Sequence, residues 1–436
     1  MFEELFTKRS FGTFLLLAMG WAMSSVSHCL SHYIWLSGGT KYKHFPRFYL
    51  FLRETVWPMR RRLWLHFYRS LDRLLPEGML YILIDDTVRK KSGKKIQGCS
   101  HYNNRAGSAR QEYRSLWGLN FVYMCFRIEV GPYQYSVPAG VRVYLKESTA
   151  KELGREHITR SGLARQMLDE LLEAMPERRF HVIADGGYST SEMGQGLDER
   201  ISYTGRMIID AAICEVPPER KPNQKGRTPM RGKPIPAPRE WPELYPELEK
   251  DWLPHPTEKG AWTRSCVGRW HNFMKGKNLA IVVIYRPAWK QSKSKKRQRA
   301  AIQAIFSTEA ETEPQQPVRT YKKRWAVEID IRDAFAYYGL GKSHLRKLKA
   351  IEALNQIRII WAACRTVWFY QHLGQEPLKL NWLRPWYRKK VNPSQRDIAF
   401  ELRNELIAAR LLSIPVLGQG RDKSLAKLEH AYARAA

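Results

Sequence analysis

The sequence predicts an α/β protein: a mixed sheet flanked by helices, with helical regions at both ends. Three observations carry that reading. Short apolar runs at 79–84 (MLYILI) and 180–184 (FHVIA) have strand length, and each leads into aspartate. Two longer stretches, 117–130 and 133–145, flank Gly131–Pro132 and so predict a hairpin. Helically spaced apolar residues then fill 158–175 and the segment from about Val318 to His372.

In chain order, the first element is an apolar run, 14–23, inside a stretch with no charged residue between Arg9 and Lys41. A membrane span needs ~20 apolar residues, and serines and histidines follow this run at once. The expectation is a buried helix, neither a signal peptide nor a membrane anchor, in a protein of the cytoplasm and nucleoid. Helices continue to about Leu75. Arg53, Arg60, Arg61, Arg62, Arg69 and Arg73 suit either phosphate contact or a solvated basic face. Pro76–Glu77–Gly78 breaks the pattern. The first strand should end at Asp85–Asp86–Thr87, and the hairpin and helix 158–175 come next. The fourth strand ends at Asp185–Gly186–Gly187–Tyr188, and 203–209 is a fifth. Prolines interleaved with Lys and Arg between 217 and 246 exclude helix and central strand, and predict an extended basic arm. Strands at 278–285 and 304–307 flank the basic run 290–299. The last helical pattern breaks at Gly339–Gly341 and ends near His372. The tail beyond Pro377 is basic and aromatic at first, then helical.

Charge names a partner. Lys and Arg total 73 against 42 Asp and Glu, a formal net charge of +31. A compact chain this basic repels itself unless a polyanion is near, and nucleic acid is the commonest one. With 44% hydrophobic residues it is no disordered tail. Its six cysteines include no C-x-x-C pair, so a zinc ribbon is not supported.

Three acidic sites stand out: Asp86 (or Asp85) after the first strand, Asp185 after the fourth, and Glu328 on the late helix. A carboxylate at the end of an apolar strand is costly to bury unless it is paired or binds a cation. Magnesium takes a few carboxylate oxygens and keeps waters, and two such ions ~4 Å apart clamp a phosphoryl transfer. At about 100° per residue, Tyr321, Arg324, Glu328 and Arg332 fall at about 0°, 300°, 340° and 20°, on one helix face. Asp330 and Asp333 fall away from it, and Trp325, Val327 and Ile331 can serve the core. The bland alternative for Glu328 is an i,i+4 ion pair with Arg324 or Arg332.

These residues resemble a family. Tyr321-x-x-Arg324-x-x-x-Glu328 is similar to the signature on the last catalytic helix of DDE-type insertion-sequence transposases. Ile84-Asp85-Asp86-Thr87 and Ala184-Asp185-Gly186-Gly187-Tyr188 resemble their first and second aspartate motifs, in the same order. Arg206–Ala212 with the Gly/Arg/Pro stretch, and Ile305-Phe306-Ser307-Thr308, fit the same pattern, so the resemblance spans most of 10–375. It implies a ribonuclease H-like core interrupted by a β-rich insertion. Asp86, Asp185 and Glu328 would bind two Mg2+ ions, with Mn2+ able to substitute. Tyr321, Arg324 and Arg332 would meet DNA phosphates. Asp86 is preferred to Asp85 because it precedes Thr87, as the family's first aspartate does. The family's lysine seven residues after the glutamate is Phe335 here. Arg332 is the expected replacement, with Lys342 and Lys347 in reserve.

The expected organisation is an N-terminal helical DNA-binding domain (1–75), the core's first part (76–215), the insertion with its basic arm (216–303), the core's last strand and helices (304–375), and a basic helical C-terminal region (376–436). The expected activity is metal-dependent cleavage of double-stranded DNA at transposon ends, followed by transfer of the 3′-hydroxyl into target DNA. A homodimer would hold the two ends, with no membrane partner. The alternatives are a nuclease that does not join strands and a catalytically dead DNA-binding protein. Of Trp241, Trp252, Trp262, Trp270 and Trp289, either all fill the insertion's core or at least one stacks on an unpaired base.

Overall fold

The computed structural model describes residues 2–24, 28–54, 60–104, 114–219, 229–290, 297–298, 300–372 and 392–412. Its centre is one mixed sheet. β1 (Leu80–Lys90) lies between β3 (Arg114–Val130), antiparallel to it, and β5 (Phe180–Ala184), parallel to it. β6 (Ile201–Met207) is parallel to β5, while β2 (Ser100–Asn104) and β4 (Tyr133–Tyr144) pair with β3. The antiparallel group β1 to β4, continued on the other side of β1 by the parallel strands β5 and β6, with helices on the faces, forms the ribonuclease H-like α/β core. The sheet does not stop at β6. Strand Ala301–Ser307 pairs antiparallel with β6, and Leu279–Arg286, Trp262–Gly268 and Leu253–Pro254 follow in order. The β-rich insertion thus lengthens the core sheet.

β1 differs from expectation in a way that matters. It runs through Asp85 and Asp86 to Lys90, where an end at Asp85–Asp86–Thr87 was expected. The reason is its two neighbours. Pairing with β5 ends at Ile84↔Ala184, but pairing with β3 continues to Lys90↔Gly118. The aspartates therefore sit inside a strand at the point where its parallel neighbour leaves.

The proline-rich segment also departs from expectation. Residues 220–228 lie outside the described residues, but the rest is ordered into short pieces. Pro234–Ile235 pairs with Ile213–Cys214. Pro238–Glu240 and Trp241–Leu244 are helical turns with proline in their first two positions. There the missing N–H has no intrahelical partner to lose, so proline is tolerated. Trp241, Trp252 and Trp270 are buried in the core, Trp262 is half-buried, and the Trp289 side chain lies outside the described residues.

The N-terminal helices α1 (Lys8–Met23), α2 (Leu30–Leu36), α3 (Pro46–Arg53) and α4 (Arg60–Asp72) share their apolar core with the sheet. The Thr7 side chain caps α1 by accepting from the Ser10 amide. The link is the helix Leu348–His372, apolar on nearly all sides and buried between these helices and β4. Phe14 and Trp21 pack on its Trp361, and Trp64 of α4 donates to its Gln356 at 3.0 Å. Among the described residues no helix is long and apolar enough to cross a membrane.

Candidate active site

Side chains alternate along a strand, so Asp85 and Asp86 leave β1 on opposite faces. Ile84↔Ala184 is the last parallel pair, which makes Asp85 and Asp185 the next residues on neighbouring strands. Asp185 keeps an extended backbone before the turn Gly186–Tyr188. A Cβ at Gly187 would meet open space, so the turn leaves this carboxylate uncrowded.

The late helix arrives over the same face. Gln316–Lys322 and Trp325–Asp333 are separate helices joined by a tight turn at Lys323–Arg324. Across that turn three side chains still converge. The Tyr321 hydroxyl donates to Asp185 Oδ1 at 3.2 Å. Burial and the Asp185 charge raise the Tyr321 pKa, so it remains a donor. Arg324 is half-buried and donates through Nη1 to Asp85 Oδ2 at 3.2 Å and through Nη2 to Glu328 Oε1 at 2.5 Å. The i,i+4 pair considered for Glu328 does form. Because the same guanidinium also grips Asp85, it is a clamp between strand and helix and more than a surface ion pair.

Asp86 goes elsewhere. Its Oδ2 accepts from Asn120 Nδ2 at 3.1 Å and lies 3.5 Å from Arg160 Nε, at the start of the helix Arg160–Ala174, which the Thr159 side chain caps. The residue beside Asp185 and Glu328 is thus Asp85, although the sequence reading preferred Asp86. A motif cannot give the register that decides this. Burial pushes the Asp85 carboxyl up to about 6, and the Asp86 and Asp185 charges add to the rise, while the hydrogen bond donated by the Asp86 amide and the Arg324 charge oppose it.

Three further expectations meet the helix itself. Arg332 is 71% exposed and bonds its neighbour Asp333 at 3.3 Å. Phe335 lies in a π-helical turn, Ala334–Tyr338, where the 100° spacing no longer applies. The Arg89 guanidinium sits over its ring, 5.1 Å from the centroid. Trp325, expected in the core, is 62% exposed beside Arg324, while Ala326, Val327 and Ile331 are buried.

Asp330 is buried beneath this face and accepts hydrogen bonds from Tyr123 and Tyr338, both at 2.8 Å. Burial raises its pKa to about 7, Asp333 adds to the rise, and the two tyrosines oppose it. The buried Arg365 faces the same group. The folded protein therefore holds a proton that the unfolded chain releases near pH 4. Stability falls as pH rises from about 4 to about 7. Asp330→Asn is expected to melt like wild type near pH 4 and several degrees higher at pH 8.5. Equal melting shifts at both pH values would refute the assignment.

As cation ligands these are hard oxygen donors of the right chemistry. Asp85 and Asp185 stand side by side, and their negative charge is only partly offset by Arg324. Among the described residues no three His, Cys, Asp or Glu side chains are close enough to share an ion. Arg324 itself stands between Asp85 and Glu328, so the site fits a cation held first by the two aspartates.

A family model described as DDE superfamily endonuclease matches residues 16–267, more than half of the chain. The matched span contains Asp85, Asp86 and Asp185 and ends before Tyr321, Arg324 and Glu328, which the fold brings to them. No curated protein matches the chain.

Proposed function

Because the chain belongs to the DDE superfamily endonucleases, nucleic-acid-cleaving enzymes, we propose that it is a DNA transposase. It cuts double-stranded DNA at the ends of a mobile element and joins the freed 3′-hydroxyl to a target. The observation that supports this best is the register-matched pair Asp85 and Asp185, with Glu328 tied to Asp85 through Arg324, in a chain of net charge +31.

The residues divide the work as follows. Asp85 and Asp185 would hold a divalent ion, Mg2+ or Mn2+, and Glu328, now paired with Arg324, would be the further carboxylate for a second. When bound, such ions activate the attacking oxygen and neutralise the leaving one. Tyr321 fixes the Asp185 carboxylate by its hydrogen bond. Arg324 grips the phosphate fork-wise once DNA arrives, and Arg332 offers a second, exposed guanidinium. Asp86 stays with Asn120 and Arg160 and supports the strand. Two protomers hold the two ends together, because each carries one such centre.

The test uses DNA carrying the sequences that flank the gene, a target plasmid and Mg2+. Nicked ends together with joined product are expected. Nicks that never yield joined product would leave a plain nuclease. Binding without nicking in either metal would leave a DNA-binding protein.

Of the insertion's tryptophans, Trp241, Trp252 and Trp270 are buried, Trp262 is half-buried and the Trp289 side chain lies outside the described residues; on the late helix, the exposed Trp325 beside Arg324 is an aromatic placed to stack on an unpaired base. Base stacking on an exposed aromatic contributes ~1–3 kcal/mol. Trp325→Ala is expected to keep its melting temperature and lose end processing roughly tenfold or more. Unchanged processing by a folded variant would remove Trp325 from the site.

A further inference from the structure

Past the aspartates, β1 carries its charge pattern into a second place. A cleft of about 640 Å³ opens where β1 ends. Arg89, Lys91, Lys94 and Lys95 form one wall, and Lys342, His344 and Arg346 form the other. His28 and Cys29, from the N-terminal helices, also line it. None of the described residues lining it is acidic.

The cleft is built, not a chance meeting of surface side chains. Arg358 is fully buried behind it. Its Nη1 donates to the carbonyls of Gly339 at 2.6 Å and Lys342 at 2.8 Å, and its Nη2 donates to the His28 carbonyl. Lys91 Nζ crosses between the walls to the carbonyls of Gly341 at 2.5 Å and Ser343 at 3.2 Å. Gly341 has φ +66°, and a Cβ there would come within 2.8 Å of the Arg89 side chain. Phe335 supports Arg89 from the other side. Burial lowers the pKa values of Lys91 and Lys342, and Arg89 and Arg358 lower them further.

We propose that this cleft binds successive backbone phosphates of the DNA strand that runs away from the carboxylates, and so sets where the strand is cut. The inference rests on the reading of the chain as a DNA-cutting enzyme. Position favours a strand over a small free anion. Asp85 and Lys91 lie six residues apart on one strand and its exit, which at ~3.3 Å per residue is about 20 Å. A duplex advances 3.4 Å per base step along each strand, so the cleft meets phosphates about six steps from the cut. Cations on two facing walls suit a chain of charges passing between them.

The experiment compares wild type with Lys94→Ala/Lys95→Ala/Lys342→Ala, and with Lys250→Ala/Lys259→Ala as a control for lost charge. Lys94 and Lys95 are exposed, and melting temperatures are measured for all three proteins. Affinity for end-containing duplex is measured in EDTA across a salt series, with hydroxyl-radical footprints. Each phosphate contact contributes about −0.9 to the slope of log K against log salt. The triple variant is expected to lose about 2–3 from the slope's magnitude, and protection about six steps from the cut, while the control keeps both. A steep wild-type slope that the triple variant reproduces, with an unchanged footprint, would overturn the cleft and leave the enzyme reading standing. Inorganic triphosphate binding is measured on the same proteins, and a triple variant that loses only that binding would assign the cleft to a small anion and overturn it too. A wild-type protein without salt-dependent DNA affinity would fail the enzyme reading itself.

Discussion

Asp185→Ala is expected to lose DNA cleavage by about a thousandfold or more, the range seen when a preorganised charge is taken from a reacting centre, while its DNA affinity in EDTA stays at the wild-type level. Binding and chemistry separate because affinity comes from distributed positive charge and cleavage from a few carboxylates. Asp85→Ala should match it. Asp86→Ala should cost far less, since Asp86 is occupied by Asn120 and Arg160 on the other face of the sheet. Single-turnover nicking on the three variants decides the matter. A dead Asp86→Ala protein beside an active Asp85→Ala protein would mean that β1 presents its other face to the metal.

The largest effect on stability is expected at Arg358. Its charge is wholly buried and spent on three backbone carbonyls from two distant parts of the chain. Removing one partner of such a buried charged contact typically costs ~3–5 kcal/mol. Arg358→Ala should lower the urea midpoint correspondingly or fail to fold. Arg358→Lys, which keeps the charge but not the fork, should fall between it and wild type. An Arg358→Ala protein within about 1 kcal/mol of wild type would show that the carbonyls are satisfied without it.

The strands were legible because apolar runs of the right length have few alternatives. Phe180–Ala184 is found with the expected bounds, and the hairpin differs by a few residues at one end. The same logic misplaced the end of β1. An apolar run shows where a strand is buried, but hydrogen bonding to β3 decides where it stops. Local spacing correctly brought Tyr321, Arg324 and Glu328 together, since even across the turn at Lys323 the backbone stays in the right-handed helical region. It failed at Phe335, where a π-helical turn that no residue pattern announced shifts the register. Asp85 and Asp86 are the sharpest case. Adjacent identical residues carry no signal of facing, and only the pairing Ile84↔Ala184 separates them. The cleft at the end of β1 was invisible as a site because its walls lie about 250 residues apart, as the Lys91–Gly341 bond shows.

That separation has a consequence for how the protein is made. Trp21 donates its indole N–H to the carbonyl of Tyr338, 317 residues later. At ~5–20 residues per second on a ribosome, the first helices wait roughly 15–60 s for that partner. The helix Leu348–His372, which fills the space between them and the sheet, emerges later still. A chain released early would hold both aspartates yet lack Glu328, the Arg324 clamp and the buried helix. Cutting competence therefore arrives only once the chain has passed His372, and a product truncated before it would be left with exposed apolar helices and no means to cut.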